Sequence, residues 1–181
     1  MEPIENSAVD ERMDLILKRR AERLAREPVS DWAERKDLIE VVEFGLGTER
    51  FVVASTHVGE VLRSGEPSIV PCTPSHVAGM VNLRGRIVAV FDLKRLFGFP
   101  ASDSPQERRV IILRSGDAEI GAVVDSLEGM RTIAFKDISP PLPAMVGACA
   151  AYVIGLESGG AIVLDGERML RDDSLIVDER V

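Results

Sequence analysis

Beyond Leu38 the apolar residues come in short runs separated by turn residues. Leu38-Ile-Glu-Val-Val-Glu-Phe44 is apolar apart from two interior glutamates. Gly45 to Arg50 supplies a turn, and Phe51-Val-Val-Ala54 returns as a second run. That order predicts a β-hairpin. Val110-Ile-Ile-Leu113, the turn Ser115-Gly-Asp117 and Ile120-Gly-Ala-Val-Val124 repeat the plan, and Ala161-Ile-Val-Leu164 is a further short strand. Ile87 to Phe91 is an unbroken apolar run, which suits a strand buried on both faces. Asp92 closes it and suits the N-cap of a short helical turn. Short strands at regular spacing predict a mainly β fold, built as a barrel or a pair of barrels.

Residues 1–37 follow a different pattern. Val9, Met13, Ile16, Leu17, Ala21 and Leu24 recur at helical spacing behind a capping box at Ser7-Ala-Val-Asp10, and Glu27-Pro28 stops the run. The spacing predicts one amphipathic helix from Val9 to Arg26 and a polar linker around Ser30 to Asp37. Its apolar stripe fits either packing on the β-domain or binding and positioning a partner.

The β region reads as two copies. Gly47, Phe51, Val58, Val61, Pro71 and Pro74 have counterparts 69 residues later in Gly116, Ile120, Leu127, Met130, Pro140 and Pro143. Leu83, Val90, Asp92, Arg95 and Leu96 match Leu156, Val163, Asp165, Arg168 and Met169 at an offset of 73. Matches in this order favour internal duplication. The expected organisation is a helix and linker over 1–37, a first barrel over 38–104, a second over 105–172 and a tail over 173–181. Asp103-Ser-Pro-Gln106 is the joint. Asp92 and Asp165, matched between copies, are expected to be structural caps. Asn82-Leu-Arg84-Gly85 aligns with Gly155-Leu-Glu157-Ser158, so the copies differ at this motif, and it is the better place to seek function.

Composition narrows the function classes. A net charge of −8 and an aromatic content of 4% argue against phosphate tracking and base stacking. No apolar stretch approaches the ~20 residues of a membrane span. The acidic N-terminus lacks the apolar core of a signal peptide, so a cytoplasmic location is expected. Cys72 and Cys149 are expected to be free, partly buried thiols. His57 and His76 make no ligand cluster, and His57 is expected in a solvated loop. Pro140-Pro141-Leu142-Pro143 matches a PxxP pattern, but its counterpart at Pro71 to Pro74 marks it as a loop common to both copies. No cofactor or metal is expected. A minor alternative is a small-ligand or enzymatic β-barrel using a groove as a pocket with Glu60 and Asp125 as acid and base, although Asp125, one carboxylate with no poised partner, would be a poor catalyst.

Arg84 stands between glycines ahead of an apolar strand, where partial enclosure would require a carboxylate. Glu60, in the loop after the second strand, is the expected partner. Its counterpart is Gly129, so both members of the pair are missing from the second copy.

At these residues the chain resembles the CheW-like family of chemotaxis coupling proteins over about Leu38 to Leu170. The resemblance rests on GMVNLRGRIVAVFDLKRLFG (79–98), VGEVLRSG (58–65), IVPCTP (69–74), GAVVDSLEGM (121–130) and IVLDGERML (162–170). Ala89 departs from it, standing where the family usually carries proline. The resemblance implies two five-stranded barrels, similar to SH3 barrels, with a hydrophobic seam between them, and a non-catalytic adaptor. It further implies two partners: the regulatory domain of a CheA-type histidine kinase and the cytoplasmic tip of a methyl-accepting chemoreceptor. Other CheW-like domains are a further possible partner, and recruitment to membrane-associated receptor arrays would follow. Val58, Glu60, Gly79, Asn82 and Arg84 would line or support a groove between the barrels that takes the receptor's helical hairpin, a known recognition mode. Any Cβ at Gly79 would block a close helix. Gly121, Leu127 and Met130 would fall in second-barrel segments that meet the kinase. The pathway is left open between flagellar chemotaxis and a non-flagellar system such as pilus motility, surface sensing or development. With so little chain after Leu170, neither a receiver domain nor a kinase is expected.

Overall fold

The computed structural model describes residues 38–63, 67–100, 108–141, 148–172 and 175. The chain divides into two compact units, Met1–Lys36 and Asp37–Val181, and every described residue lies in the second. The expected helix over Val9 to Arg26, its linker, the joint at 103–106, Pro143 and most of the tail fall outside the described residues.

In chain order the elements are β1 (Leu38–Leu46), β2 (Glu49–Ala54), β3 (Val58–Leu62), β4 (Val77–Leu83), β5 (Arg86–Asp92) and α1 (Leu93–Phe97). Then come β6 (Arg109–Ser115), β7 (Ala118–Val124), β8 (Ser126–Ala134), β9 (Ile138–Ser139), β10 (Val153–Glu157), β11 (Ile162–Leu164) and α2 (Gly166–Leu170). They form a six-stranded sheet ordered β8-β1-β2-β11-β10-β9 and a five-stranded sheet ordered β3-β6-β7-β5-β4. The mainly β expectation holds, with one difference. The first sheet has six strands because the two-residue β9 pairs with the end of β10. Both short helices are capped as expected: Asp92 Oδ1 accepts from Arg95 N at 3.2 Å, and Asp165 Oδ1 from Arg168 N at 3.1 Å.

A cut into a first barrel 38–104 and a second 105–172 does not follow the sheets. Hairpin β1–β2 pairs with β8 and β11 of the second copy, and hairpin β6–β7 pairs with β3 and β5 of the first. Each copy therefore lends its leading hairpin to the other's sheet. The chain crosses between sheets in the 3-10 turn Ser55–His57 and again at Asp125. His57 is not in a solvated loop. It lies in that first crossing, half-buried, with its ring against Gly166 of α2.

The duplication extends to strand register. Val163 pairs with Val52 in parallel, and Val90 pairs with Gly121 in the same way, at the offsets found in the sequence. A bulge at Glu128 of β8, opposite Glu43 and Phe44, recurs 69 residues earlier at Gly59 of β3, opposite Ile112 and Leu113. The alignment of Leu83 with Leu156 needs correction. Gly79 pairs with Val90 as Gly155 pairs with Val163, and Met80 with Ala89 as Leu156 with Ile162. The β10–β11 connection is therefore three residues shorter than β4–β5. Arg84 has no residue opposite it in the second copy; the Asn82–Gly85 motif belongs to a hairpin extension.

Alternation along the strands explains the apolar runs. Val42, Phe44, Phe51, Val53, Ile111, Leu113, Ile162 and Leu164 point into a shared core in the seam between the sheets. Their neighbours point the other way, Val41, Val52 and Val163 into one sheet's own core and Val110 and Ile112 into the other's. A strand buried on both faces reads as a near-continuous apolar run, with a polar residue such as Glu43 only where it has charged partners. Burial at ~25 cal/mol per Å² makes this three-part core the main stabilising term.

Candidate functional site

The site begins with a tight turn. Leu83 pairs with Arg86, leaving Arg84 and Gly85 as a two-residue loop. Both have positive φ, 52° and 90°. That is the twist-compatible turn of a two-residue hairpin, in which Asn or Gly normally fills the first place. Asn82 Oδ1 accepts the Gly85 N–H at 2.8 Å and braces the loop. The left-handed backbone directs the Arg84 side chain outward at the hairpin tip.

Arg84 Nη2 lies 3.2 Å from Glu60 Oε2, so the expected pair is present. The expected enclosure is not: the Arg84 side chain is 81% exposed and that of Glu60 31%. Glu60 also stands in strand β3 rather than a loop, just past the bulge. Strands β3 and β4 are the two edges of the five-stranded sheet, so the pair reaches across them. Ile87, directly opposite Asn82, is 62% exposed although it opens the unbroken apolar run. The sequence hides this residue because four apolar neighbours follow it; only its place beside the turn signals exposure.

The other expected site residues divide by burial. Val58 is half-buried on β3 and packs on the seam core. Gly79 is buried, with φ 141°, and a Cβ there would collide with the Ser68 carbonyl. Ser68 bridges Met80 on the outer edge of β4, with N–H···O distances of 2.8 and 2.9 Å. The glycine is thus required by this chain's own backbone, and a Cβ there meets Ser68 before any partner helix. Gly121 is buried in β7, where a Cβ would press on Val90 at 2.8 Å, so the glycine is set by packing. Leu127 is half-buried against the seam core, and Met130 is exposed on β8.

The six-stranded sheet carries a second ionic cluster that sequence reasoning missed. Arg131 of β8 donates to Glu43 of β1 and, at 3.2 Å, to Glu157 at the end of β10. Arg50 adds a contact to Glu43 at 3.3 Å and donates to the Gly159 carbonyl. Burial alone would lower the Arg131 pKa, but its hydrogen bonds to Glu43 and Glu157 and the negative charge of both carboxylates outweigh it and raise it. Burial likewise pushes the Glu157 carboxyl up, and the Arg131 and Gly159 hydrogen bonds more than reverse it, leaving it below its ordinary value. The signal for this cluster is Glu43 inside an otherwise apolar strand.

Asp125, considered above as an acid or base, accepts from Lys94 Nζ at 2.5 Å and from Gly47 N at 2.7 Å. Glu60 and Asp125 are held by separate cations on separate elements, so the geometry does not assemble them as a pair. His76 stacks on Phe91 with ring centroids 6.2 Å apart. Cys72 is exposed in a turn with φ 64° rather than partly buried, while Cys149 is half-buried and burial raises its thiol pKa; both are free. No helix among the described residues is long and apolar enough to cross a membrane.

The family model described as the CheW-like domain matches residues 40–174. The chain belongs to the CheW-like family. It is similar to the protein PilI of Pseudomonas aeruginosa, 30% identical over 64% of this chain and 65% of that protein, so it spans just under two thirds of PilI. It is also similar to the chemotaxis protein CheW of Treponema pallidum, 25% identical over 79% of this chain and 88% of that one. The protein FrzA of Myxococcus xanthus is 34% identical over 62% of this chain and 70% of its own length. Among solved structures, the scaffolding protein TtCheW of Thermoanaerobacter tengcongensis superposes with a TM-score of 0.63 at 29% identity, covering 70% of this chain and 88% of that chain. The CheW-like assignment thus covers both sheets and the hairpin that carries Arg84.

Proposed function

We propose that this chain is a non-catalytic adaptor of bacterial chemosensory signalling, joining the regulatory domain of a CheA-type histidine kinase to the cytoplasmic tip of a chemoreceptor. The observation that carries the reading is the extended β4–β5 hairpin. It presents an exposed Arg84, tethered to Glu60 and flanked by exposed Asn82 and Ile87, on one copy of a duplicated scaffold whose other copy lacks the extension. A charged tip beside an exposed aliphatic residue suits a helical hairpin with an acidic residue next to an apolar stripe. Val58, Glu60, Asn82 and Arg84 are assigned to the receptor side, with Gly79 supporting them from within. Leu127 and Met130 on β8 are assigned to the kinase side, and Gly121 only holds β7 in place. Relatives named for chemotaxis, together with PilI and FrzA, support the adaptor class without choosing a pathway.

The test is co-precipitation of full-length chain with a kinase regulatory domain and a receptor tip, using wild type and Arg84→Glu. The charge reversal is expected to abolish receptor recovery with the fold intact. Undiminished recovery and kinase control would refute the assignment.

A further inference from the structure

The second crossing between the sheets is locked by a buried ion pair. Asp125 follows β7 of the five-stranded sheet and leads into β8 of the six-stranded one. Its backbone N–H donates to the carbonyl of Gly45 near the end of β1 at 3.0 Å, and Oδ2 accepts from N of Gly47 in the β1–β2 turn at 2.7 Å. The same oxygen lies 2.5 Å from Lys94 Nζ, which comes from α1 directly after β5. The two side chains are only 13% and 6% exposed. One carboxylate therefore ties the leading hairpin of the six-stranded sheet to the helix that closes the five-stranded one.

The fold does not demand this pair. At the first crossing, Ser55–His57, the two equivalent positions do not hold such a pair. Thr56 stands where Asp125 does, and Glu167, in the place of Lys94, pairs with Arg171 at 2.5 Å instead. Buried ion pairs are seldom a net gain in stability over apolar residues of similar volume, and their best-attested use is to fix register. We propose that Lys94 and Asp125 are positioning residues: the pair fixes the orientation of the two sheets across the seam, and binding both partners at once depends on that orientation. The last clause rests on the adaptor reading above; the orientation itself does not.

The test uses full-length chain with Cys72 and Cys149 replaced by serine and spin labels at Thr132→Cys on β8 and Asp117→Cys in the β6–β7 turn. In Lys94→Met/Asp125→Asn the asparagine still accepts from Gly47, and the pair is neutral. The distance distribution is expected to broaden at least about twofold while unfolding stays a single transition. Asp125→Asn alone is measured in parallel and carries the test where the double variant does not fold. An unchanged distribution in a folded variant overturns the proposal, and so does failure of both variants to fold, which would make the pair a requirement of folding. With kinase domain and receptor tip together, the folded variant is expected to recover at least tenfold less receptor, with kinase binding within twofold of wild type; full recovery overturns the functional clause. Arg84→Glu runs alongside. If wild type recovers no receptor with the kinase domain, the adaptor reading falls; if Arg84→Glu leaves recovery intact, the assignment of Arg84 falls; in either case the spin-label result still decides the latch.

Discussion

Replacing Arg84 by asparagine separates what the hairpin tip does for the fold from what it does for a partner. The guanidinium is four-fifths exposed, so losing its contact to Glu60 removes at most about 0.5 kcal/mol. Against that, Arg84 holds a φ of 52°, and a left-handed backbone costs an ordinary L-residue about 1 kcal/mol. Asparagine before Gly85 is the preferred pair for such a turn and recovers part of that strain. The two effects nearly cancel, so Arg84→Asn is expected to match or slightly exceed wild-type stability, within about 0.5 kcal/mol. Urea unfolding of the full chain measures this, and the three-component co-precipitation measures function, where receptor recovery is expected to fall at least tenfold. A loss of 2 kcal/mol or more would mean that the guanidinium supports the fold and that the exposed reading is wrong. Retained stability with full receptor recovery would remove Arg84 from the interface.

Gly79→Ala combines a positive φ with a collision on the Ser68 carbonyl, and is expected to lose at least about 2 kcal/mol in urea unfolding, with no partner present. Wild-type stability there would return Gly79 to a partner-contact role. The Glu157 carboxyl is held below its ordinary 4.5 in the folded chain. Its stabilisation is therefore present above that value and lost as pH falls through the lowered one. Glu157→Gln is expected to be about 1–2 kcal/mol less stable at pH 7 and to show a flatter decline in urea midpoint below about pH 4.5; an equal decline would show that the contribution lies elsewhere. Residues 1–104 and 105–181 made as separate chains are each expected to lack a cooperative thermal transition and to regain one on mixing, because each lacks the hairpin the other supplies. A cooperative transition in either fragment alone would contradict the exchange.

The sequence revealed the hairpins β1–β2 and β6–β7, the caps Asp92 and Asp165, and the duplication, because all rest on local rules of apolar runs, turns and spacing. It did not reveal β3, β4, β8 or β10 as strands. Each has a glycine inside it (Gly59, Gly79, Gly129 and Gly155), which breaks the apolar run that marks a strand, and β3 and β8 pair with partners far along the chain. The hairpin exchange was invisible for the same reason: offset matching identifies equivalent residues without saying which copy they pair with. At the site, Glu60 and Arg84 were found through their joint absence from the second copy. Enclosure was then inferred from the apolar strand next to Arg84, and it fails because a two-residue turn turns the side chain away from that strand. Ile87 was concealed within the same run.

The duplication also explains why function can be asymmetric on a symmetric scaffold. Both sheets face the same problem of joining their edge strands, and they solve it with charge in opposite directions. In the six-stranded sheet Arg131 reaches inward from β8 and is held between Glu43 and Glu157, where partial burial strengthens each contact. In the five-stranded sheet Ile112 takes the place of Glu43, Leu62 that of Arg131, and the interior is apolar. Charge on this sheet stands outside that interior: Arg86, 60% exposed, pairs with Glu119 at 2.8 Å, and Glu60 meets Arg84 at the tip of a hairpin three residues longer than its counterpart. An inward ion cluster links the strands of its own sheet and offers a partner little. An outward pair adds little stability and leaves a guanidinium whose donors are mostly unsatisfied by protein. The two sheets therefore differ in where their charges stand, one linking its strands through them and the other carrying them at its surface.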